Sequence, residues 1–334
     1  MRRKRTKLIC AFSFCPAGTS NAERRGFMEY AAVIAKQIVI MFLIILTGAL
    51  CYKKNIITRE GNRYLSELVL KIVCPVLIFM AYQTEFSPAL LNGLLWALLL
   101  AALSFGVTIL IGGLVFRKNL RTEYAIERCS VIYSNCAFMG FPLIGALFGD
   151  VGILYTTAYL TLFNLLVWSH GLMVMTDTVS MKGFFKALRS PTVIAVFLGI
   201  ICYVTNLRLP EVPKTALNYI ASMNTPLAML VAGVTIAQTN VLKAFKKPRI
   251  YLVTAFRLLI FPALVILLTW FWPVGEEVYI SIMLATACPT ATICTLFAIS
   301  YERNALYASE IFAVTTILSA VTMPLVVFCT KFFF

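Results

Sequence analysis

Long apolar runs separated by short polar clusters repeat along the whole chain. Read by apolar length, the pattern predicts ten membrane-spanning helices, at about 30–52, 62–82, 88–116, 126–148, 150–177, 190–207, 214–237, 248–272, 276–298 and 304–330. Each run has 18 residues or more, enough to cross about 30 Å of hydrocarbon. No stretch is left over for a separate soluble domain, so the expected partner of most of the surface is the lipid bilayer.

Composition sharpens this picture. The 334 residues are 60% hydrophobic and only 13% charged, too little charge to cover a soluble surface. The formal net charge of +15 is loop bias, because the basic residues lie between the apolar runs, and it does not indicate nucleic-acid binding. The ten cysteines are scattered, mostly within apolar runs, with no CxxC pair, so they read as small core hydrophobes. Intramembrane hydrolysis needs paired aspartates, a Ser–His pair or a metal cluster. The only aspartates, Asp150 and Asp177, fall at opposite ends of the fifth expected span, and His170 is the single histidine. An enzyme is therefore not expected, and neither is a metal or other cofactor beyond a coupling H+ or Na+.

The first residues fit the pattern poorly. Residues 1–27 carry seven basic residues, with an apolar patch from Leu8 to Cys15 too short for a convincing signal peptide. If Arg24 and Arg25 are read from AGG codons, the DNA carries AGGAGG two codons before Met28, which resembles a bacterial ribosome-binding site. Residues 1–27 are accordingly expected to be a mis-started leader, with translation from Met28; an intact native mass that includes residue 2 onward would sink this.

Charge also orients the spans. One set of alternate loops holds sixteen Lys and Arg, among them Lys53, Arg117, Lys182, Lys247 and Arg303. The other set, leaving out residues 1–27, holds only Arg208, Lys214 and Lys331. The positive-inside rule puts the sixteen in the cytoplasm and both termini outside.

The halves echo each other. Pro75 and Pro226 are 151 apart, Pro142 and Pro289 are 147 apart, and Leu154-Tyr155 and Leu306-Tyr307 are 152 apart. The expected fold is an all-α integral membrane protein: ten transmembrane helices as two inverted five-helix repeats, residues 30–178 and 190–331, joined by a cytoplasmic linker at 179–189. The fourth and ninth spans are expected to be broken and crossed, by Pro142 with Gly140 beside it and by Pro289. Freed backbone groups survive in a membrane only where protein buries them or a cavity wets them. Two half-helix N-termini meeting at one spot would stabilise an anion there without a fixed lysine. The bland alternative for each proline is an ordinary kink.

The residues at this crossover carry a resemblance. Asn135 to Leu143, NCAFMGFPL, resembles the Asn-x-x-x-Met-Gly-x-Pro-Leu crossover of the auxin efflux carrier family, particularly its short-loop bacterial members. Gly61-Asn62-Arg63 leading to Pro75, Phe256-Arg257 with Pro262-Ala263, Ala287-Cys288-Pro289 with Phe297-Ala298, and Ser319 to Pro324 resemble that family's second, eighth, ninth and tenth helices. The resemblance implies a scaffold of the first, second, sixth and seventh helices, a transport domain of the others, and elevator-like alternating access. It implies substrates such as auxin in plants and malate, malonate or related carboxylates in bacteria, in a bacterial plasma membrane here. It carries the crossover asparagine to Asn135 and the crossover prolines to Pro142 and Pro289, and a homodimer through the scaffold would fit it. Ser190-Pro191 stands where plant members often have Asn-Pro, and the loop at 178–189 is short, which speaks against auxin itself.

The candidate substrate-binding residues are Asn135, Gly140, Pro142, Pro289 and Thr290, the last directly after the break. Ionisable residues within spans are costly and often functional. Glu67 and Lys71, four apart on one helix face, are either a neutralised pair or a coupling site. Glu310 binds a proton or cation or is a satisfied core carboxylate, and Asn164 joins the coupling candidates. Arg257 is expected to brace helix packing or meet a carboxylate, and His170 to be a hydrogen-bonded core residue. The expected function is a secondary transporter for a small organic anion, with an anion sensor that moves nothing as the rival; net flux separates the two.

Overall fold

The computed structural model describes residues 21–117, 123–178 and 188–331, with side chains from residue 32 onward. Residues 1–20 of the expected leader and 179–187 of the expected linker lie outside the described residues.

The described chain is helical, as the apolar runs require. Helix α1 (Asn21–Lys53) is followed by α2 (Arg59–Leu68), which runs through a π-turn at Val69–Val73 into α3 (Cys74–Ala81), and then by α4 (Pro88–Val115). Next come α5 (Tyr124–Ile132), a π-turn at Cys136–Gly140, α6 (Phe141–Leu166), a π-turn at Val167–Gly171 and α7 (Leu172–Thr176). The second half contains α8 (Pro191–Val204), α9 (Glu211–Ser222), α10 (Asn224–Ala237) and the single turn α11 (Val241–Ala244). It continues with α12 (Pro248–Ala255), a π-turn at Phe256–Ile260, α13 (Phe261–Thr269), α14 (Glu276–Ala287), α15 (Thr292–Ser300) and α16 (Ala305–Lys331).

Among the described residues, seven helical runs are long and apolar enough to cross a membrane, and α8 is a shorter apolar helix. One of the seven, Cys136–Thr176, has 41 residues, about twice what a bilayer needs. It covers the second part of the fourth expected span and all of the fifth. Gly149 interrupts it with φ 57° and ψ −144°, a backbone that side-chain-bearing residues avoid. The ninth expected span is the pair α14 and α15, each too short alone.

Among the described residues, three of the four π-turns end two residues before a proline: Val69–Val73 before Pro75, Cys136–Gly140 before Pro142, and Phe256–Ile260 before Pro262. Proline has no N–H to donate and its ring crowds the carbonyl four residues back. Widening that turn relieves the crowding while the helix continues. Pro142 therefore does not interrupt its helix as expected. The break comes earlier, where Tyr133 is extended (φ −94°, ψ 114°) and Asn135 caps the next segment. In the second half the break does contain its proline. Cys288 (ψ 149°) and Ala291 (ψ 139°) are extended on either side of it, as the residue before a proline prefers. Pro142 and Pro289 thus do not occupy corresponding positions.

Packing divides the helices into two groups. In one, α1 lies along α10, and α3 packs against α8 and α9. In the other, α4 packs on α6 and α14, and α16 on α14 and α15. In the first group α1 and α10 touch backbone to backbone. A Cβ on Gly233 would sit 1.9 Å from the Ile45 carbonyl oxygen, and one on Gly48 2.3 Å from that of Leu230. Small residues at such crossings let helices approach closely in lipid, where van der Waals packing is the main attraction.

Candidate crossover site

The two broken segments meet. Ser134 and Thr290 form an antiparallel β-bridge, in which the Asn135 N–H donates to the Pro289 carbonyl (2.8 Å) and the Ala291 N–H donates to the Tyr133 carbonyl (2.9 Å). Backbone polar groups freed by the breaks thus satisfy one another across the crossing, as an apolar interior demands. The approach is close enough that a Cβ on Gly140 would lie 3.3 Å from the Cys288 sulfur.

Beyond the bridge, each chain starts a new helix. Asn135 caps the segment that opens with Cys136, so the amides of Cys136 to Phe138 have no intrahelical acceptor. Ala291 caps α15, which leaves the amides of Thr292 and Ile293 in the same position. Several buried polar atoms nearby have no protein partner: Asn135 Nδ2, Thr292 Oγ1, Thr295 Oγ1, Thr316 Oγ1 and Asn224 Oδ1. Buried polar groups normally find partners. The cluster around the two helix starts is accordingly a polar pocket in an apolar body.

A cavity of about 340 Å³ lies beside this region. Phe141, Pro142, Gly149 and Asp150 of α6 line one wall, and Asn218 of α9 and Asn224 of α10 line another. Asn224 is fully buried at the start of α10 and donates from Nδ2 to the Ala137 carbonyl at 3.5 Å, which ties the first helix group to the crossover. The sequence reading missed it. Its signal was an asparagine inside an apolar run, two residues before Pro226.

The structure brings Asn135, Gly140, Pro289 and Thr290 together at the crossing, with Pro142 one turn away on the cavity wall. Thr290 is wholly engaged: its side chain donates to the Ser130 carbonyl (3.0 Å) and its amide to Thr315 Oγ1 (3.3 Å). The coupling candidates are spread out. Glu67 accepts from Lys71 (2.7 Å) and Arg63 (3.3 Å), but its side chain is 37% exposed and that of Lys71 64%. The pair shares a face as expected, at the surface and away from the crossing. Asn164 donates to its own helix at Leu160 (2.8 Å). Glu310 is buried, one and a half turns before Thr315 on α16, and Lys247 Nζ lies 2.5 Å from it.

A second buried carboxylate escaped the sequence reading because it sits at the edge of a span. Glu127 takes a two-pronged pair of bonds from Arg249 (2.8 to 3.1 Å) and one from Tyr307 Oη (2.9 Å). It joins α5, α12 and α16 behind the crossing. His170 is hydrogen-bonded as expected, between Tyr133 Oη (2.9 Å) and Arg128 (3.3 Å), but it is half-buried and not in the core.

Comparison with known proteins points to membrane transport. The model of the family described as membrane transport protein matches residues 33–183 and 175–327, nearly all of the described chain. An uncharacterized transporter of Methanothermobacter thermautotrophicus is 22% identical over 293 residues, covering 85% of this chain and 94% of that protein. Both comparisons lead to membrane transporters, and the exclusion of an enzyme stands.

Proposed function

The chain belongs to the membrane transport protein family, the auxin efflux carriers, and from that membership we propose that it is a secondary transporter carrying a small organic anion through the crossover. The observation that carries the proposal is the pairing of two helix starts, whose first amides have no intrahelical acceptor, at one polar spot beside a cavity. Each N-terminus stabilises an anion by roughly 0.3–1 kcal/mol, or up to about 2 in partly buried geometry. A mono- or dicarboxylate such as malate supplies the acceptors that these amides and Asn135 Nδ2 lack.

The finer architecture follows the same reading: ten spans in two inverted five-helix repeats. Folding the 41-residue run back at Gly149 turns the seven long runs into eight spans, the shorter apolar helix α8 makes the ninth, and α14 with α15 as one broken span makes the tenth. The pairing of α1 with α10 and of α3 with α8 exchanges under such a repeat, which supports it. The scaffold is then α1 to α3 with α8 to α10, and the remaining helices move against it as an elevator. With the basic loops in the cytoplasm, Gly149 and Asp150 lie outside, so the cavity opens outward. The setting is a bacterial plasma membrane with both termini outside, a homodimer would form through the scaffold, and Glu310 is the coupling-proton candidate that lies nearest the crossing.

The test is solid-supported-membrane electrophysiology on proteoliposomes, with malate, malonate, citrate, lactate and indole acetate, with and without proton or sodium gradients. A saturable current with one of them, lost in Asn135→Ala, is the expected result. Binding of these anions with no flux in any gradient would make the protein a sensor and refute the transporter.

A further inference from the structure

Arg257 is fully buried in the π-turn between α12 and α13. Its Nε donates to the Cys288 carbonyl (2.9 Å), and its Nη1 to those of Val131 (2.8 Å) and Ile132 (3.1 Å). Its Nη2 donates to the carbonyl of Thr286. Every acceptor is a backbone oxygen at or next to the C-terminal end of α5 or α14, the two half-helices that run into the breaks. Among the described residues no carboxylate forms an ion pair with it. The charge is balanced all the same. Each helix C-terminus carries roughly half a negative charge, and two of them sum to about the single positive charge of a guanidinium.

We propose that Arg257 is the resident cation of the crossover, a positioning residue that ties the two negative half-helix ends together and so aims the two opposite starts at the substrate. Only that last step rests on the substrate reading above; the clamp itself does not. The planar guanidinium suits the task because its donors spread in a fixed fork and reach carbonyls on two separate chains at once. A lysine brings the charge but not the spread. A ring of carbonyls from two broken helices is also what a metal cation would occupy. With the guanidinium already seated there, neither folding nor substrate binding at this spot calls on sodium.

The experiment uses the full chain in detergent and reads melting temperature in NaCl and in choline chloride, then substrate affinity. The wild type is expected to melt at one temperature in both salts. Arg257→Ala is expected to melt lower and to recover with millimolar guanidinium chloride, but not with equal NaCl or urea. Its carboxylate affinity should fall by about tenfold, the scale of one helix-end interaction, and return with guanidinium. A merely structural arginine would give neither the selective rescue nor the restored affinity. Sodium-specific stabilisation of the wild type, or an Arg257→Ala protein unmoved by guanidinium, would overturn the proposal. If the alanine protein does not accumulate, Arg257→Lys serves: a lower melting temperature supports the clamp, and wild-type melting and affinity contradict it. The melting readings need no substrate, so they stand even if the chain carries no organic anion.

Discussion

Two pairs of helices in this protein bring backbone against backbone, by opposite means. Where α1 crosses α10, the side chains have been removed and the helices kept: Gly48 and Gly233 leave the Leu230 and Ile45 carbonyls in direct contact. Where α5 and α6 cross α14 and α15, the side chains have been kept and the helices opened, and a two-residue bridge between Ser134 and Thr290 replaces the lost turns. The first crossing leaves no polar group to spare and can only hold. The second leaves helix-start amides with no intrahelical acceptor and an asparagine nitrogen and threonine hydroxyls without partners, and can bind.

The comparison breaks most readily at the first crossing. Gly233→Ala places a methyl 1.9 Å from a backbone oxygen that no rotamer change can move. The expected cost exceeds the roughly 1–3 kcal/mol of ordinary overpacking, seen as loss of the monodisperse peak in detergent size-exclusion. Normal yield and melting would mean the helices are not in contact there. At the second crossing the expected signature is the reverse: Asn135→Ala folds and melts normally while carboxylate-driven current disappears. Asn224→Ala, which touches the crossover from the other helix group, is expected to weaken the apparent affinity by about tenfold, the worth of about one hydrogen bond. Glu310→Gln is expected to keep the substrate current but remove its response to an imposed proton gradient. Smallest of all, Glu67→Gln should leave flux and melting unchanged, because its pair with Lys71 is exposed at the surface. A proton-coupling defect in Glu67→Gln with none in Glu310→Gln would exchange the roles of the two carboxylates.

How far the sequence could be read follows from where each signal lives. The all-helical membrane class was legible because apolar length is a local property, and seven helical runs among the described residues are long and apolar enough to span. Pro289 marked its break because it lies inside it. The other break was misplaced by about seven residues, since Tyr133 and Ser134 carry no breaking chemistry and Pro142 is absorbed by a π-turn. Asn135 was found through the family resemblance alone. The glycine crossing joins residues 185 apart with nothing in either run to announce the other. Arg257 was expected to brace packing or meet a carboxylate; it braces packing through carbonyls, which every residue owns and no sequence pattern distinguishes. Glu127 was hidden by its place at a span edge.

The central claim is that the freed amides at the crossover grip the anion. Amide hydrogen exchange on the full chain, with and without a saturating transported carboxylate, tests it without mutating anything. Protection is expected to concentrate in peptides covering 133–141 and 289–295, with the α1–α10 crossing unchanged. Protection confined to the region of Glu67 and Lys71, with the crossover amides exchanging as before, would contradict it.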